Sequence, residues 1–184
     1  MHGLENMAST EQVPSSVLSN KEIAAIEEVM AKAKAKIASE GKVEAEVQSL
    51  TRGFLVNRTK DNITLQKVDE HNWSGKPVTS YPEFIPVQDE EVRFDHRGPL
   101  PEGSVGGIVY ADGTDSTARK WLVAFDTPKQ KAYVEAGPMG EVDWNVIKVK
   151  LDASEYRSEY EDPILGGKIY ALNYGFALVA YLSN

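Results

Sequence analysis

The chain has 184 residues, a formal net charge of −8, 41% hydrophobic residues and no cysteine. This length is enough for one domain with an apolar core, and no apolar run approaches the 18 or so residues of a membrane-spanning helix. The lack of cysteine excludes disulfides and thiolate chemistry, and it favours a cytoplasmic location. Nucleic acid is not an expected partner, because phosphate binding needs a concentrated basic surface, and no Lys/Arg cluster stands outside one predicted helix.

The N-terminal part predicts a flexible leader followed by one amphipathic helix. Residues 1–18 are polar, and the second methionine, Met7, suggests that residues 1–6 are a tag or precede an alternative start. Ser19 and Glu22 fit a capping box, and Gly41 is a plausible stop, which places the helix at 19–41. Its apolar stripe consists of Ile23, Ile26, Met30, Ala33 and Ile37.

The remaining chain predicts a mainly β structure: an antiparallel β-sandwich over 43–184, which forms a single domain (19–184) with the helix. Short Val-, Ile-, Tyr- and Phe-rich runs alternate with Gly-, Pro- and Asp-rich turns at regular spacing. Strands are expected near "VQSLTRGFLVNR", "ITLQKVDEH", "EVRFDH", "GGIVYA", "KWLVAFD", "AYVEAG", "NVIKVKL", "KIYALN" and "FALVAYL". "WLVAFD" and "FALVAYL" are nearly all apolar, so both are expected to be central strands, with Trp121, Phe125 and Phe176 in the core.

Catalytic motifs are not found. "PEGSVGG" lacks the first glycine of a hydrolase elbow, and "GGKI" lacks the Ser or Thr of a phosphate-binding loop. His71 and His96 are not spaced as zinc ligands, and Asp112 and Asp115 do not follow an EF-hand spacing. The acidic runs "QDEE", "DGTD" and "EYEDP" are typical of charged turns. We therefore expect no enzyme activity, no cofactor and no metal.

The stretch "HNWSGKPVTSYPEFI" (71–85) is the best candidate for a ligand site. It combines aromatic rings with polar groups and three prolines that would stiffen a loop. We expect a surface loop at one end of the sandwich, with a folded-back Phe84 and with Trp73 either folded back or exposed for binding. The residues predicted to contact a ligand are His71, Trp73, Lys76 and Tyr81.

Taken in order, several motifs resemble the plant 23 kDa jasmonate-induced protein family. They are "LVNRTKDNITLQKVDEHNWSGK", "YPEFIPVQDEEVRFDHRG", "GSVGGIVY" and "KWLVAFDTPKQKAYVEAG", which together span about residues 45 to 137. The resemblance implies a stress- or hormone-inducible plant protein whose sandwich is similar to those of the aegerolysins and, more distantly, the actinoporins. It implies binding of membrane lipids, and it brings no catalytic residues.

Three hypotheses of function are open at this point. The first is a non-enzymatic defence protein, lectin-like or lipid-binding, that recognises a glycan or lipid headgroup through the loop aromatics. The second is a membrane-active, actinoporin-like protein whose helix leaves the sandwich and lies in the bilayer. The third is an enzyme using Asp, His71 or His96. Exposed strand edges would also allow a homodimer.

Overall fold

The structure, a computed structural model, describes residues 18–39, 48–60, 63–87, 91–175 and 177–184. Two sheets pack face to face, and one helix covers the outer face of each sheet. In chain order the elements are α1 (Asn20–Ser39), β1 (Gln48–Arg58), β2 (Leu65–Ser74), β3 (Lys76–Pro77), β4 (Phe84–Ile85), β5 (Val92–Pro99), β6 (Val105–Ala111), β7 (Arg119–Asp126), β8 (Lys131–Pro138), α2 (Trp144–Asp152), β9 (Arg157–Glu161), β10 (Lys168–Tyr174) and β11 (Ala177–Ser183).

The β-sandwich prediction is confirmed, with one departure from the antiparallel pattern. The first sheet has the order β3-β5-β1-β11-β10-β9, and the second has β4-β2-β6-β7-β8. Every pair is antiparallel except β1 and β11, which run parallel with Phe54 opposite Val179. Both predicted central strands are central: β7 lies between β6 and β8, and β11 between β1 and β10. Strand β9 and the short β3 and β4 were not predicted.

The main core lies between the sheets and holds the large rings. The side chains of Trp121 and Phe125 have no exposed surface, as the sequence predicted. The Trp121 Nε1–H is shared between the carbonyls of Lys168 (3.1 Å) and Ser183 (3.2 Å), which satisfies its polar atom inside the core. The predicted leader apart from Leu18, the stop at Gly41 and the side chain of Phe176 lie outside the described residues.

Helix α1 is amphipathic and packs on the outer face of the first sheet. Its capping box is confirmed, since the Glu22 N–H donates to Ser19 Oγ and the Ser19 N–H donates to Glu22 Oε1, both at 3.2 Å. The face that touches the sheet contains the buried residues Ile26, Val29, Met30 and Ala33. This face covers an apolar surface of the sheet formed by Phe54, Val56, Tyr170, Val179 and Tyr181.

The expected strand "NVIKVKL" is wrong, because the segment is helix α2. Asp143 caps it by accepting hydrogen bonds from the N–H groups of Asn145 (3.0 Å) and Val146 (3.3 Å). Ile147 and Leu151 are buried while Val149 is 69% exposed. The buried positions are four residues apart, so the helical period, and not the strand-like alternation of valine and lysine, matches the burial.

Segment 71–85 is not one loop, which corrects the sequence interpretation. Its first part is the end of β2, paired with β6. The chain then crosses to the first sheet as β3, paired with β5, and returns to the second sheet as β4, paired with β2.

On the opposite side of the sandwich, β8 hydrogen-bonds to the β9 segment through Ala132 N–H to Glu155 O (2.8 Å). Both sides therefore carry links between the sheets, which reduce the free edge needed for strand-to-strand dimerisation. The homodimer stays a prediction.

Candidate functional site

Three rings form an aromatic cluster on the outer face of the second sheet. His71 and Trp73 are two residues apart on β2, so both point to this face, and α2 adds Trp144. His71 stacks on Trp144 with ring centroids 5.6 Å apart, and Trp73 meets both rings edge to face at 5.1 and 5.7 Å. Trp73 is half-buried and is braced by two neighbours, so its ring orientation is fixed before any ligand arrives.

Trp144 occupies its place because β6 carries a glycine there. A Cβ atom on Gly107 would lie 2.6 Å from Cζ3 of Trp144, so only glycine lets the indole lie on the strand. The indole N–H donates to Asp69 Oδ2 at 3.0 Å. The sequence interpretation missed Trp144, although the spacing of Trp144, Ile147 and Leu151 is helical and would have revealed this face.

A cavity of about 220 Å³ opens beside Trp73, at the end of the sandwich that holds the turns at 74–76, 99–104 and 126–131. We call it the Trp73 cavity. Its walls combine an indole, two prolines, a valine, a serine and both signs of charge; they are Trp73, Ser74, Pro101, Glu102, Val105, Asp126, Pro128, Lys129 and Lys148.

The charged groups of the Trp73 cavity differ in burial. Asp126 is 3% exposed, and burial raises the pKa of its carboxyl above the ordinary value. The N–H of Lys129 donates to its Oδ1 at 3.2 Å, which favours the charged form and opposes the effect of burial. Glu102 is exposed at the rim, and Lys148 Nζ contacts Asp152 Oδ1 at 2.7 Å. The cavity thus offers a carboxylate inside and ammonium groups at its edge.

Behind this cavity, a chain of polar side chains, all buried except the half-buried Asn72, crosses the core. It runs from Asn173 to Thr127 (3.4 Å), on to Thr51, and from Thr51 to Ser104 (2.6 Å). It continues from Ser104 to His96 Nδ1 (2.6 Å), from His96 Nε2 to Asn72 Oδ1 (2.9 Å), and ends with Tyr81 donating to the same oxygen (2.6 Å). We call it the polar chain; Asn72, Ser104 and Thr127 each adjoin a wall residue of the Trp73 cavity.

The polar chain indicates which ring nitrogen of His96 carries a proton, and burial affects its pKa. Asn72 Oδ1 can only accept, so His96 Nε2 donates to it, and Ser104 Oγ lies within hydrogen-bond distance of both His96 Nδ1 (2.6 Å) and the His96 carbonyl oxygen (3.1 Å). His96 has no exposed surface, and burial lowers its pKa to about 4. Burial therefore favours the neutral ring.

The four residues predicted to contact a ligand lie in three different places. Trp73 lines the Trp73 cavity, while His71 supports it from behind in the aromatic cluster. Lys76 is exposed and lines a separate cleft on the first sheet. Tyr81 is completely buried against Phe94 and His96, so the expectation of an exposed ring is wrong. The crossover between the sheets carries Tyr81, so its ring fills the core where the sequence alone suggested a surface loop.

Phe84 also differs from its expectation. It is 55% exposed, whereas the sequence interpretation folded it inwards. Pairing of β4 with β2 sets Gln66 opposite Phe84 and Leu65 opposite Ile85. Because neighbouring strand residues point to opposite faces, Ile85 enters the core and Phe84 is left outside.

The titratable residues considered for catalysis have structural contacts. Both ring nitrogens of His96 are engaged in the polar chain, and Asp112 binds Arg119 through Oδ2 to Nε at 2.8 Å. Among the described residues, no three His, Asp or Glu side chains lie close enough together to hold a metal ion. Within the same residues, no helix combines the length and apolar character needed to span a bilayer.

Comparison with known protein sequences assigns the chain to a family. No protein-family model matches the chain. A jasmonate-induced protein homolog from Atriplex canescens is 30% identical over 132 residues, which cover 65% of this chain and 70% of that protein. The chain belongs to the jasmonate-induced protein family. This confirms the family prediction made from the motifs at 45–137.

Solved structures share the fold of this jasmonate-induced family member. The lipid-binding protein Nakanori aligns with a TM-score of 0.59 at 17% identity, over 94% of this chain and 91% of its own. A variant of the Xerocomus chrysenteron lectin XCL aligns with a TM-score of 0.50 at 12% identity, over 74% of this chain and 97% of its own. At such identities the likeness concerns the fold. The more specific resemblance to aegerolysins and actinoporins stays a prediction.

Proposed function

We propose that this protein is a non-enzymatic binding protein that recognises a polar headgroup, of a membrane lipid or a glycan, in the Trp73 cavity. The observation that carries the proposal is the position of Trp73, a half-buried indole braced by His71 and Trp144 at the wall of a cavity that contains charges of both signs. A fixed ring supplies flat apolar area and a cation–π surface at low entropic cost.

The charges suit a ligand with its own charged or hydroxyl groups. The Asp126 carboxylate can accept hydrogen bonds from hydroxyl or ammonium groups, and Lys129 and Lys148 can donate to phosphate or hydroxyl oxygens. The Ser104–His96 pair behind them is completely buried and does not line the cavity. This supports recognition and not turnover.

A lipid headgroup is favoured by two observations. Nakanori, whose fold aligns over 94% of this chain, is a lipid-binding protein. Exposed apolar side chains lie at the same end of the sandwich as the cavity: Leu100 is 43% exposed, Tyr156 45% and Tyr174 55%. Such residues can enter the interfacial region of a bilayer. A glycan is the second candidate, supported by the lectin neighbour and by the tryptophan face beside acidic and basic groups.

The test is binding of the purified protein to a glycan array and to vesicles of phosphatidylcholine, phosphatidylethanolamine or sphingomyelin. Trp73→Ala is the test variant, and Trp73→Phe tests whether another ring restores binding. Phe84→Ala is the matched control, because it also removes a partly exposed ring, but at the opposite end of the sandwich. We expect Trp73→Ala to weaken ligand binding by about tenfold or more, because aromatic anchors contribute much of the binding free energy in such sites.

Either of two results would contradict the proposal. One is a folded Trp73→Ala protein that binds the same ligand as tightly as the original chain. The other is equal loss of binding in Phe84→Ala, which would show that the loss does not depend on the cavity. Circular dichroism and a thermal melt establish that each variant is folded.

A further inference from the structure

A second cleft, which we call the Lys76 cleft, lies on the outer face of the first sheet where β3 joins β5. Its volume is about 520 Å³, and its lining is largely backbone and apolar side chain: Gly75, Lys76, Pro77, Val78, Arg97, Gly98 and Pro99. It shares no lining residue with the Trp73 cavity, so a ligand bound in the Lys76 cleft does not depend on the proposed function.

Two cationic residues, Lys76 and Arg97, line this cleft. Lys76 and Arg97 are cross-strand partners in the antiparallel pair of β3 and β5, so their side chains leave the same face of the sheet. Both are exposed, and neither forms an ion pair with any residue that the structure describes. The carboxylate two positions before Arg97, Asp95, contacts Arg93 at 3.8 Å. Like charges that lie directly opposite each other destabilise a strand pair. Two adjacent cations are notable in this chain, because its net charge is −8.

The close approach of the backbone keeps the two cations together. Gly75 has φ of +81°, and a Cβ there would lie 2.3 Å from the Arg97 carbonyl oxygen. Only glycine allows this crossing, which sets Lys76 opposite Arg97. The backbone therefore sets the two cationic residues side by side, and an anion can bind between their side chains.

We infer that the Lys76 cleft binds a phosphomonoester group carried by a membrane lipid. A phosphomonoester has a charge of about −1.5 to −2 near neutral pH, which matches two cations better than a single carboxylate does. The guanidinium of Arg97 can bind two phosphate oxygens at once, and Lys76 supplies a third donor. The apolar walls Pro77 and Val78, the latter 54% exposed, suit the glycerol and acyl part of a lipid.

The neighbouring turn supports a membrane source for the phosphate. Leu100 follows Pro99, a wall of the cleft, and is 43% exposed at the tip of the β5–β6 turn. When the cleft holds a headgroup, this leucine can enter the acyl boundary of the same bilayer. A free phosphate would gain nothing from Leu100 or from the apolar walls.

The experiment is sedimentation with vesicles of phosphatidylcholine that contain phosphatidic acid as the minority lipid. Vesicles with phosphatidylserine at matched surface charge measure non-specific attraction, and glycerol 3-phosphate as competitor measures binding of the soluble phosphate ester. We expect binding to the phosphatidic acid vesicles, and a loss of about tenfold in Lys76→Ala and in Arg97→Ala, since each removes a charge-assisted hydrogen bond. Arg97→Lys keeps the positive charge but not the planar guanidinium that binds two oxygens at once. Its vesicle binding should therefore weaken less than that of Arg97→Ala.

The matched control is Lys60→Ala, which removes an exposed lysine at the opposite end of the sandwich and should bind as the original chain does. Several results would overturn the inference: equal binding to the phosphatidylserine vesicles, no binding beyond that to phosphatidylcholine alone, or full binding by both alanine variants. Capture of glycerol 3-phosphate without any vesicle binding would overturn the assignment to a lipid. Trp73→Ala tests the proposed function separately, because it leaves the Lys76 cleft intact.

Discussion

His96 in the first sheet and Asn72 in the second are joined by a hydrogen bond through the core, with His96 Nε2 2.9 Å from Asn72 Oδ1. Burial lowers the pKa of His96 to about 4, against 6.5 for a free histidine. Between these values the unfolded chain binds a proton that the folded chain does not. The free energy of unfolding should therefore fall as the pH drops from about 6.5 to 4, by up to about 1.4 kcal/mol per pH unit, and this contribution is constant above pH 6.5.

Urea denaturation at several pH values between 7.5 and 4.5 measures this dependence. His96→Gln cannot take up the proton, so its stability should depend less on pH over the same window, whatever its absolute value. His71→Gln serves as the control and should keep the His96-dependent slope. Identical slopes for the original chain and His96→Gln would show that His96 is not the group responsible.

Replacing Gly107 with alanine should displace Trp144 and loosen the aromatic cluster. The new methyl group would start 2.6 Å from the indole ring, and overpacking of this kind costs about 1–3 kcal/mol of unfolding free energy. Near-ultraviolet circular dichroism reports the change in tryptophan packing, and denaturation reports the loss of stability. Gly137→Ala on β8 is the matched control, since nothing lies within 4 Å of its new methyl group. Equal stability for the two variants would refute the assigned contact.

The sequence predicted the sandwich well because its signals are local. The capping box at Ser19 and Glu22 and the apolar runs around Trp121 and Val179 each depend on a few adjacent residues. The segment at 144–152 was misassigned because valine and lysine alternate there as they do in strands. The deciding signals were the cap at Asp143 and the helical spacing of Ile147 and Leu151.

Removing the cap of α2 should weaken the support behind Trp73. Asp143→Ala leaves the N–H groups of Asn145 and Val146 without their side-chain acceptor, at a cost of about 0.5–2 kcal/mol. Asp143→Ser keeps a side-chain acceptor, so it should retain most of the stability that Asp143→Ala loses. Thermal denaturation of the three proteins provides the comparison. A loss in the serine variant as large as in the alanine variant would argue against a capping role.

Helix α1 should remain docked on the first sheet, and a larger side chain at Ala33 tests this packing. Ala33 has no exposed surface, so Ala33→Leu should overpack the interface and cost about 1–3 kcal/mol. Ala35→Leu is the control, because Ala35 is exposed on the same helix. If both variants unfold at the same urea concentration as the original chain, α1 does not pack as described, and the hypothesis of a helix that leaves for the bilayer gains support.

The candidate site was predictable only in part, for reasons of geometry. Trp73 and Lys76 were chosen as candidates from their surroundings in sequence, and their contact with a ligand stays a prediction. Tyr81 was placed on the surface although it fills the core. The partners of these residues come from distant parts of the chain: Trp144 is 71 positions after Trp73, and Arg97 is 21 positions after Lys76. Such juxtapositions depend on the pairing of strands, which a single sequence does not specify.

The parallel pairing of β1 with β11 has a consequence for the order in which the protein is made. Strand β11 (Ala177–Ser183) inserts between β1 and β10, so the first sheet is divided into two unjoined parts until these residues emerge from the ribosome. During synthesis the edges of β1 and β10 that pair with β11 have no partner strand. Folding of this sheet must therefore wait for a contact that spans most of the chain. A nascent chain halted before Ala177 should therefore depend on chaperones to stay out of aggregates.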